Sequence, residues 1–105
     1  MSVPNVPVID QISAAMSVAN LQHQVNVSNI ANRDAQGFQR LKLQFDRAMG
    51  EPEAARVVSD DSPVPVSLEQ DLVAMSNNLM RYQTMARALG HYFSMIATIT
   101  NPNRG

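Results

Sequence analysis

Few residues in this chain have the type and spacing that catalysis or metal binding would require. His23 and His91 are the only histidines, and neither has an acidic or histidine partner at metal-ligand spacing. The chain has no Cys, which excludes a disulfide, a thiolate metal site and a cysteine nucleophile. The acidic residues between Glu51 and Asp61 lie in a Pro-containing stretch, where a fixed acid–base pair is not expected. We therefore expect no enzyme, no metal site and no cofactor.

The composition narrows the class of protein further. The 105 residues allow one small domain, and with three Phe, two Tyr and no Trp a core of large side chains is not expected. A net charge of −1 argues against nucleic-acid binding that depends on phosphate neutralisation. We see no cleaved signal peptide and no stretch apolar enough to span a membrane. Any export is therefore expected to use a route without a cleaved leader.

The dominant pattern is a heptad-like seam between Leu68 and Thr100. Apolar or near-apolar residues recur there at steps that alternate four and three, which keeps one face of an α-helix toward a partner helix. Residues 68–100 are predicted to form one helix about 50 Å long. We expect an assembly interface along this seam, formed by Leu72, Met75, Leu79, Tyr82, Ala86, Leu89, Phe93 and Ile96.

A first helix is predicted over residues 10–32, after a flexible lead-in at 1–9, with Asp10 near its start. From residue 11 to 32 the chain has no Asp, Glu, Lys or Arg, although a solvated helix normally carries charges. We expect other protein to cover this helix; the alternative is a weakly soluble two-helix hairpin. Its predicted packing residues are Ile12, Met16, Val18, Leu21, Val25 and Ile30.

The segment between the helices, residues 33–67, changes character twice. Gly37 follows a helix stop and is expected to have positive φ. Residues 40–45 alternate polar with apolar, which predicts a strand that pairs with another segment or another subunit. Residues 50–66 are predicted to be a mobile connection, and Ser67 with Gln70 has the spacing of a capping box.

These patterns together predict a mainly α fold in one structural unit. The two long terminal helices are expected to pack as an antiparallel, coiled-coil-like pair, with a short extended segment and a mobile connection between them and a tail at 101–105. Residues 88–103 are as free of charge as the first helix. Uncharged surface left over by the helix pair favours a polymer or obligate oligomer.

The junction after the first helix resembles a signature of bacterial flagellar rod and hook proteins. That signature reads roughly N-N-I-A-N-x-x-T-P-G-[YF], and the matching residues here are Asn29, Ile30, Ala31, Asn32, Gly37 and Phe38. Ser28 stands in place of the first Asn, and Ala35-Gln36 in place of Thr-Pro. The run from Asn78 to Gln83 resembles the C-terminal helix of the short proximal-rod proteins, with the B type as the nearest likeness. The resemblance covers both helices and not residues 46–66.

The resemblance implies a structural subunit of the flagellar basal-body rod, located in the periplasm and exported by the type III apparatus. The implied partners are copies of the chain, neighbouring rod proteins, the rod-to-ring adaptor protein, and the export gate and MS ring. An inner-rod or needle subunit of a virulence type III secretion system is an alternative, although that class is not expected to carry the junction signature. A generic coiled-coil adaptor is a further alternative.

Overall fold

The computed structural model describes residues 6–45 and 55–100, which form two packed helices and a small sheet. Helix α1 spans Val6–Ala31, strand β1 Leu41–Phe45, strand β2 Ala55–Ser59 and helix α2 Leu68–Thr100. The helices are antiparallel, because the start of α2 lies beside the residues that follow α1, whereas Asn78 reaches back to Ala19. The predicted mainly helical fold with a packed helix pair is confirmed.

Helix α1 begins earlier than predicted, within the segment that we expected to be a flexible lead-in. Its first residue is Val6, and Pro7 lies in its first turn. A proline costs little there because the first amides of a helix have no partner within the helix. Asp10 therefore lies inside α1 and not at its start. The predicted residues 1–5 of the lead-in and the tail at 101–105 lie outside the described residues.

Helix α2 has the predicted bounds, and the predicted capping box forms at its start. The Gln70 amide N–H donates to Oγ of Ser67 at 3.1 Å, and the Ser67 amide N–H donates to Oε1 of Gln70 at 2.8 Å. These reciprocal bonds satisfy two backbone donors that the first turn would otherwise leave unpaired. The start of α2 is thus fixed by its own sequence.

The predicted extended segment is β1, and its partner is a strand that we did not predict. β2 lies within the stretch interpreted as a mobile connection, and the two strands pair antiparallel from Leu41 opposite Ser59 to Phe45 opposite Ala55. The mobile connection was therefore wrong for residues 55–59. The sequence of β2, Ala-Arg-Val-Val-Ser, lacks strict alternation, so its strand character depends on β1. Residues 50–54 of the connection lie outside the described part of the chain, as do residues 46–49.

The interior of the helix pair is thin and unusually polar. Among the described residues, the buried apolar side chains are Ala19 and Val25, while four polar or charged residues are also buried: Asn26, Asn29, Asp71 and Asn78. Buried polar groups of this kind require defined hydrogen-bond partners. The partners of Asn29, Asp71 and Asn78 therefore decide how the elements are held together.

Candidate assembly surface and junction

The chain reverses direction after α1 through two successive turns. The Ala35 amide N–H donates to the carbonyl of Asn32 at 2.9 Å, and the Phe38 amide N–H donates to the carbonyl of Ala35 at 3.1 Å. Gly37 is the third residue of the second turn and has φ of +78°. This angle favours glycine, as in a type II turn. The predicted positive φ is confirmed, and Phe38 follows as a half-buried residue.

Asn29 joins α1 to β1, because its side chain makes the two hydrogen bonds that the backbone of a neighbouring strand would make. Its Nδ2 donates to the carbonyl of Leu41 at 2.9 Å, and its Oδ1 accepts from the Leu41 amide N–H at 2.9 Å. The residue is only 3% exposed. One side chain thus satisfies both backbone groups of Leu41 on the edge of β1 that faces away from β2.

The other residues of the junction motif have less direct roles. Asn32 donates from both its backbone amide and its Nδ2 to the carbonyl of Ser28, at 3.0 and 2.9 Å. Ile30 is half-buried and Ala31 is exposed. Asn32 therefore closes the last turn of α1, while Asn29 sets the position of the strand.

A buried carboxylate connects the start of α2 to the junction. Arg40, which immediately precedes β1, donates through Nη1 and Nη2 to the two carboxylate oxygens of Asp71, both at 2.9 Å. Nη1 of Arg33 lies 3.7 Å from the same carboxylate. Asp71 is 7% exposed. The residues after α1, before β1 and in the first turns of α2 therefore meet at one carboxylate.

The electrostatics of this cluster favour the ionised pair. Hydrogen bonding from Arg40 lowers the pKa of Asp71, against an opposing effect of burial, and the positive charges of Arg40 and Arg33 lower it further. Hydrogen bonding to Asp71 correspondingly raises the pKa of Arg40. We call this cluster the clamp, because its hydrogen bonds join the residue before β1 to the start of α2.

Asn78 provides a further link between the helices, nearer the middle of α2. Its Nδ2 donates to the carbonyl of Ala19 at 2.8 Å, a helix carbonyl that already accepts within α1, and the side chain is 7% exposed. Asn78 belongs to the run that resembles proximal-rod proteins. Asp71 and Asn78 lie on the same face of α2, where Asp71 bonds to the junction and Asn78 to α1.

The predicted seam is therefore only partly covered within the chain. Met75, Leu89 and Ile96 are half-buried, whereas the other predicted seam residues are exposed. We call the exposed flank the α2 stripe; its large apolar members are between 37 and 53% exposed, and it consists of Leu68, Leu72, Leu79, Tyr82, Ala86 and Phe93. Since Asp71 bonds to Arg40 and Asn78 bonds to Ala19 of α1, α2 is rotated so that the face carrying these two residues, and not the stripe, is turned toward the junction and α1.

The predicted packing residues of α1 all lie at least partly inside. Val25 is 3% exposed, and the others are half-buried, namely Ile12, Met16, Val18, Leu21 and Ile30. Beside them, a groove of about 560 Å³ opens between α1, the end of β1 and α2. Asn78, Arg81 and Met85 form its α2 wall, and Arg81 lies about 160° around the helix axis from Leu79 of the stripe.

The histidines do not combine with other groups into a site. Nδ1 of His23 is buried without a hydrogen-bond partner, as is Nδ2 of Asn26. His91 is exposed and makes an edge contact with the ring of Tyr92. Within residues 6–45 and 55–100 no group of three His, Asp or Glu residues is arranged to hold a metal ion.

Sequence reasoning missed the clamp formed by Arg40 and Asp71. Arg40 was assigned only to the extended segment, and Asp71 was given no role. One signal was present, since Asp71 and Asn78 are spaced seven residues apart beside the apolar seam. That spacing places them on one helix face, but it does not identify Arg40 as the partner of Asp71.

Searches for relatives yielded no match to a protein-family model, a curated protein or a solved structure. In the described part of the chain, no helix has the length and apolarity needed to cross a membrane.

Proposed function

We propose that the chain is a structural subunit of the proximal rod of the bacterial flagellar basal body. In this proposal it is exported by the type III apparatus without a cleaved leader and polymerises in the periplasm. Its partners would be further copies, neighbouring rod proteins, the rod-to-ring adaptor protein, and the export gate and MS ring. The family assignment rests on the resemblance of the junction and of the Asn78–Gln83 run.

The observation that carries the assembly part of the proposal is the α2 stripe. Its members recur with helical spacing along one flank over 26 residues, from Leu68 to Phe93, and α1 does not cover them. A row of exposed apolar side chains of this length is typical of a surface that another helix packs against. The stripe contains no formal charge, so its burial would not require desolvation of an ion.

The geometry of the junction supports the family assignment. The motif residues Asn29 and Gly37 have specific local roles, since one pairs with the backbone of β1 and the other adopts positive φ. The family signature has Pro before this Gly, which is the residue favoured at the second position of a type II turn. Gln36 occupies that position here.

The test uses a charge in the stripe and a matched charge elsewhere on the same helix. Leu79→Asp introduces a carboxylate into the stripe, where Leu79 is 39% exposed. The control, Asn77→Asp, introduces the same carboxylate at an exposed position on the far side of α2. Leu89 is a poorer probe because it is half-buried within the chain.

In a flagellated host that depends on this protein, Leu79→Asp should be exported but should build no rod and give no swimming. Asn77→Asp should swim like the wild type, and the two purified variants should have the same helix content by circular dichroism. Normal motility with Leu79→Asp would show that the stripe is not buried in the assembled rod. If Leu79→Asp abolishes binding to a separate coiled-coil protein but leaves motility intact, the adaptor alternative is favoured instead.

A further inference from the structure

The outer edge of β2 is an open strand edge. The Asp60 amide N–H donates to the carbonyl of Arg40 at 2.7 Å, so in this register the hydrogen-bonded pairs are Lys42 with Val58 and Gln44 with Arg56. Ala55, Val57 and Ser59 alternate with them, and their backbone N–H and C=O groups point away from β1. No described residue hydrogen-bonds to these groups.

The outer edge of β1 is capped by a side chain, whereas no described side chain caps the outer edge of β2. On the outer edge of β1, the side chain of Asn29 takes both backbone groups of Leu41. On the outer edge of β2, no described side chain plays the part that Asn29 plays for β1, and the Val57 side chain is 41% exposed. Natural proteins protect such edges with Pro, charged side chains, bulges or a covering element; residues 55–59 contain no Pro and no bulge, and their one charged side chain is that of Arg56.

We propose that this edge is a docking site for β2 of a second copy, which adds antiparallel and extends the sheet to four strands. The charges of Arg56 on β2 and of Asp60 just after it select the register. With Val58 opposite Val58 of the second copy, Arg56 of each chain lies directly opposite Asp60 of the other. Opposite charges that face each other across a strand pair stabilise it, and like charges destabilise it.

The alternative registers are less favourable. A register centred on Arg56 places the two guanidinium groups opposite each other, and one centred on Val57 places Arg56 opposite Val58. In the chosen register the groups that would pair are available, because Gln44 accepts only from Nε and Nη2 of Arg56. Oδ1 of Asp60 accepts from the Ser62 amide N–H, and no described residue bonds to Oδ2.

The contact has two-fold symmetry, so it closes after two copies and does not by itself form a filament. It is therefore a dimer of the free chain, made by a surface distinct from the α2 stripe. The dimer does not rest on the rod proposal: either one can hold while the other fails, and their tests use different residues.

Single-cysteine crosslinking tests the register, because the chain has no other Cys. In a non-hydrogen-bonded antiparallel pair, opposed Cα atoms are about 4.5 Å apart, within the range that a disulfide can bridge. Full-length Val58→Cys should form a disulfide-linked dimer under mild oxidation. Val57→Cys, which would face Ser59 of the second copy, should crosslink much more slowly. Equal crosslinking of the two, or none at Val58, would overturn the proposed register.

Charge reversal tests the pairing in solution. Arg56→Glu should weaken dimerisation by about tenfold or more, measured by sedimentation velocity over a concentration series, and Arg56→Glu with Asp60→Lys should restore it. Circular dichroism should show unchanged helix content. An unchanged dimer in Arg56→Glu, or no recovery in the double variant, would contradict the charge pairing.

A single proline substitution tests docking at this edge independently of the charges. The Val57 N–H points outward, so Val57→Pro should abolish the dimer and leave the β1–β2 pairing in place, whereas Val57→Thr should dimerise like the wild type. A wild-type chain that stays monomeric at every concentration, or a Val57→Pro dimer as tight as that of the wild type, would refute docking at this edge.

Discussion

The guanidinium of Arg40 and the carboxylate of Asp71 form a parallel pair of hydrogen bonds, each 2.9 Å long, across 31 residues of sequence. This geometry gives both charges defined partners in a site where Asp71 is 7% exposed. The pair connects the start of α2 to the beginning of β1. It therefore helps to fix how the sheet lies against the helix pair.

Removal of the carboxylate charge should be costly. Asp71→Asn leaves Arg40 without its counter-charge, and we expect a loss of about 2–3 kcal/mol in the free energy of unfolding. Asp61→Asn is the matched control, since its ion pair with Lys42 is 3.8 Å long and its side chain is 93% exposed. Urea unfolding of both variants measures the difference, and equal, small effects would show that the clamp contributes little.

The same pair predicts the response to acid. The pKa of Asp71 is lower in the folded chain than the ordinary value of 3.8, so its contribution is complete above that value and is lost as the pH falls through the folded-state pKa. The stability difference between wild type and Asp71→Asn should therefore be constant near neutral pH and shrink below about pH 4. Urea unfolding of both proteins over this pH range measures how the stability difference changes. A difference that grows in acid would contradict the prediction.

Asn29 should be sensitive to an isosteric change. Asn29→Asp removes the donor to the Leu41 carbonyl and places a carboxylate against that oxygen, at an expected cost of about 1–3 kcal/mol. The repulsion should displace the Leu41 backbone and weaken the remaining bond from its N–H, so hydrogen exchange at the Leu41 amide should be faster. Asn20→Asp, at an exposed position of α1, is the control and should leave that amide unchanged. Unaltered protection in Asn29→Asp would mean that the strand is held by other contacts.

The two described glycines should respond oppositely to the same substitution. A Cβ would meet no atom within 4 Å at either Gly37 or Gly90, so only the backbone decides. Gly37→Ala should destabilise the chain by about 1 kcal/mol because of its φ of +78°. Gly90→Ala, inside α2, should stabilise it by about 0.5–1 kcal/mol. Unfolding midpoints compare the two, and a shift of the same sign in both would contradict this account.

Local signals in the sequence determined much of this structure. The alternating seam gave the bounds of α2, the Ser67–Gln70 spacing its capping box, and a glycine after a helix stop the positive φ of Gly37. Each of these features depends on residues within a few positions of one another. Backbone propensity and short-range hydrogen bonds are sufficient to specify them.

The tertiary structure decided what depends on distant partners. β2 became a strand because β1 lies beside it, and Asp71 was buried because Arg40 is available to pair with it. The same buried contacts of Asp71 and Asn78 rotate α2, and so determine which seam residues stay exposed as the stripe. Sequence periodicity defines a helix face, but it cannot state which face is covered, because that depends on the pairing of buried polar groups far apart in the chain.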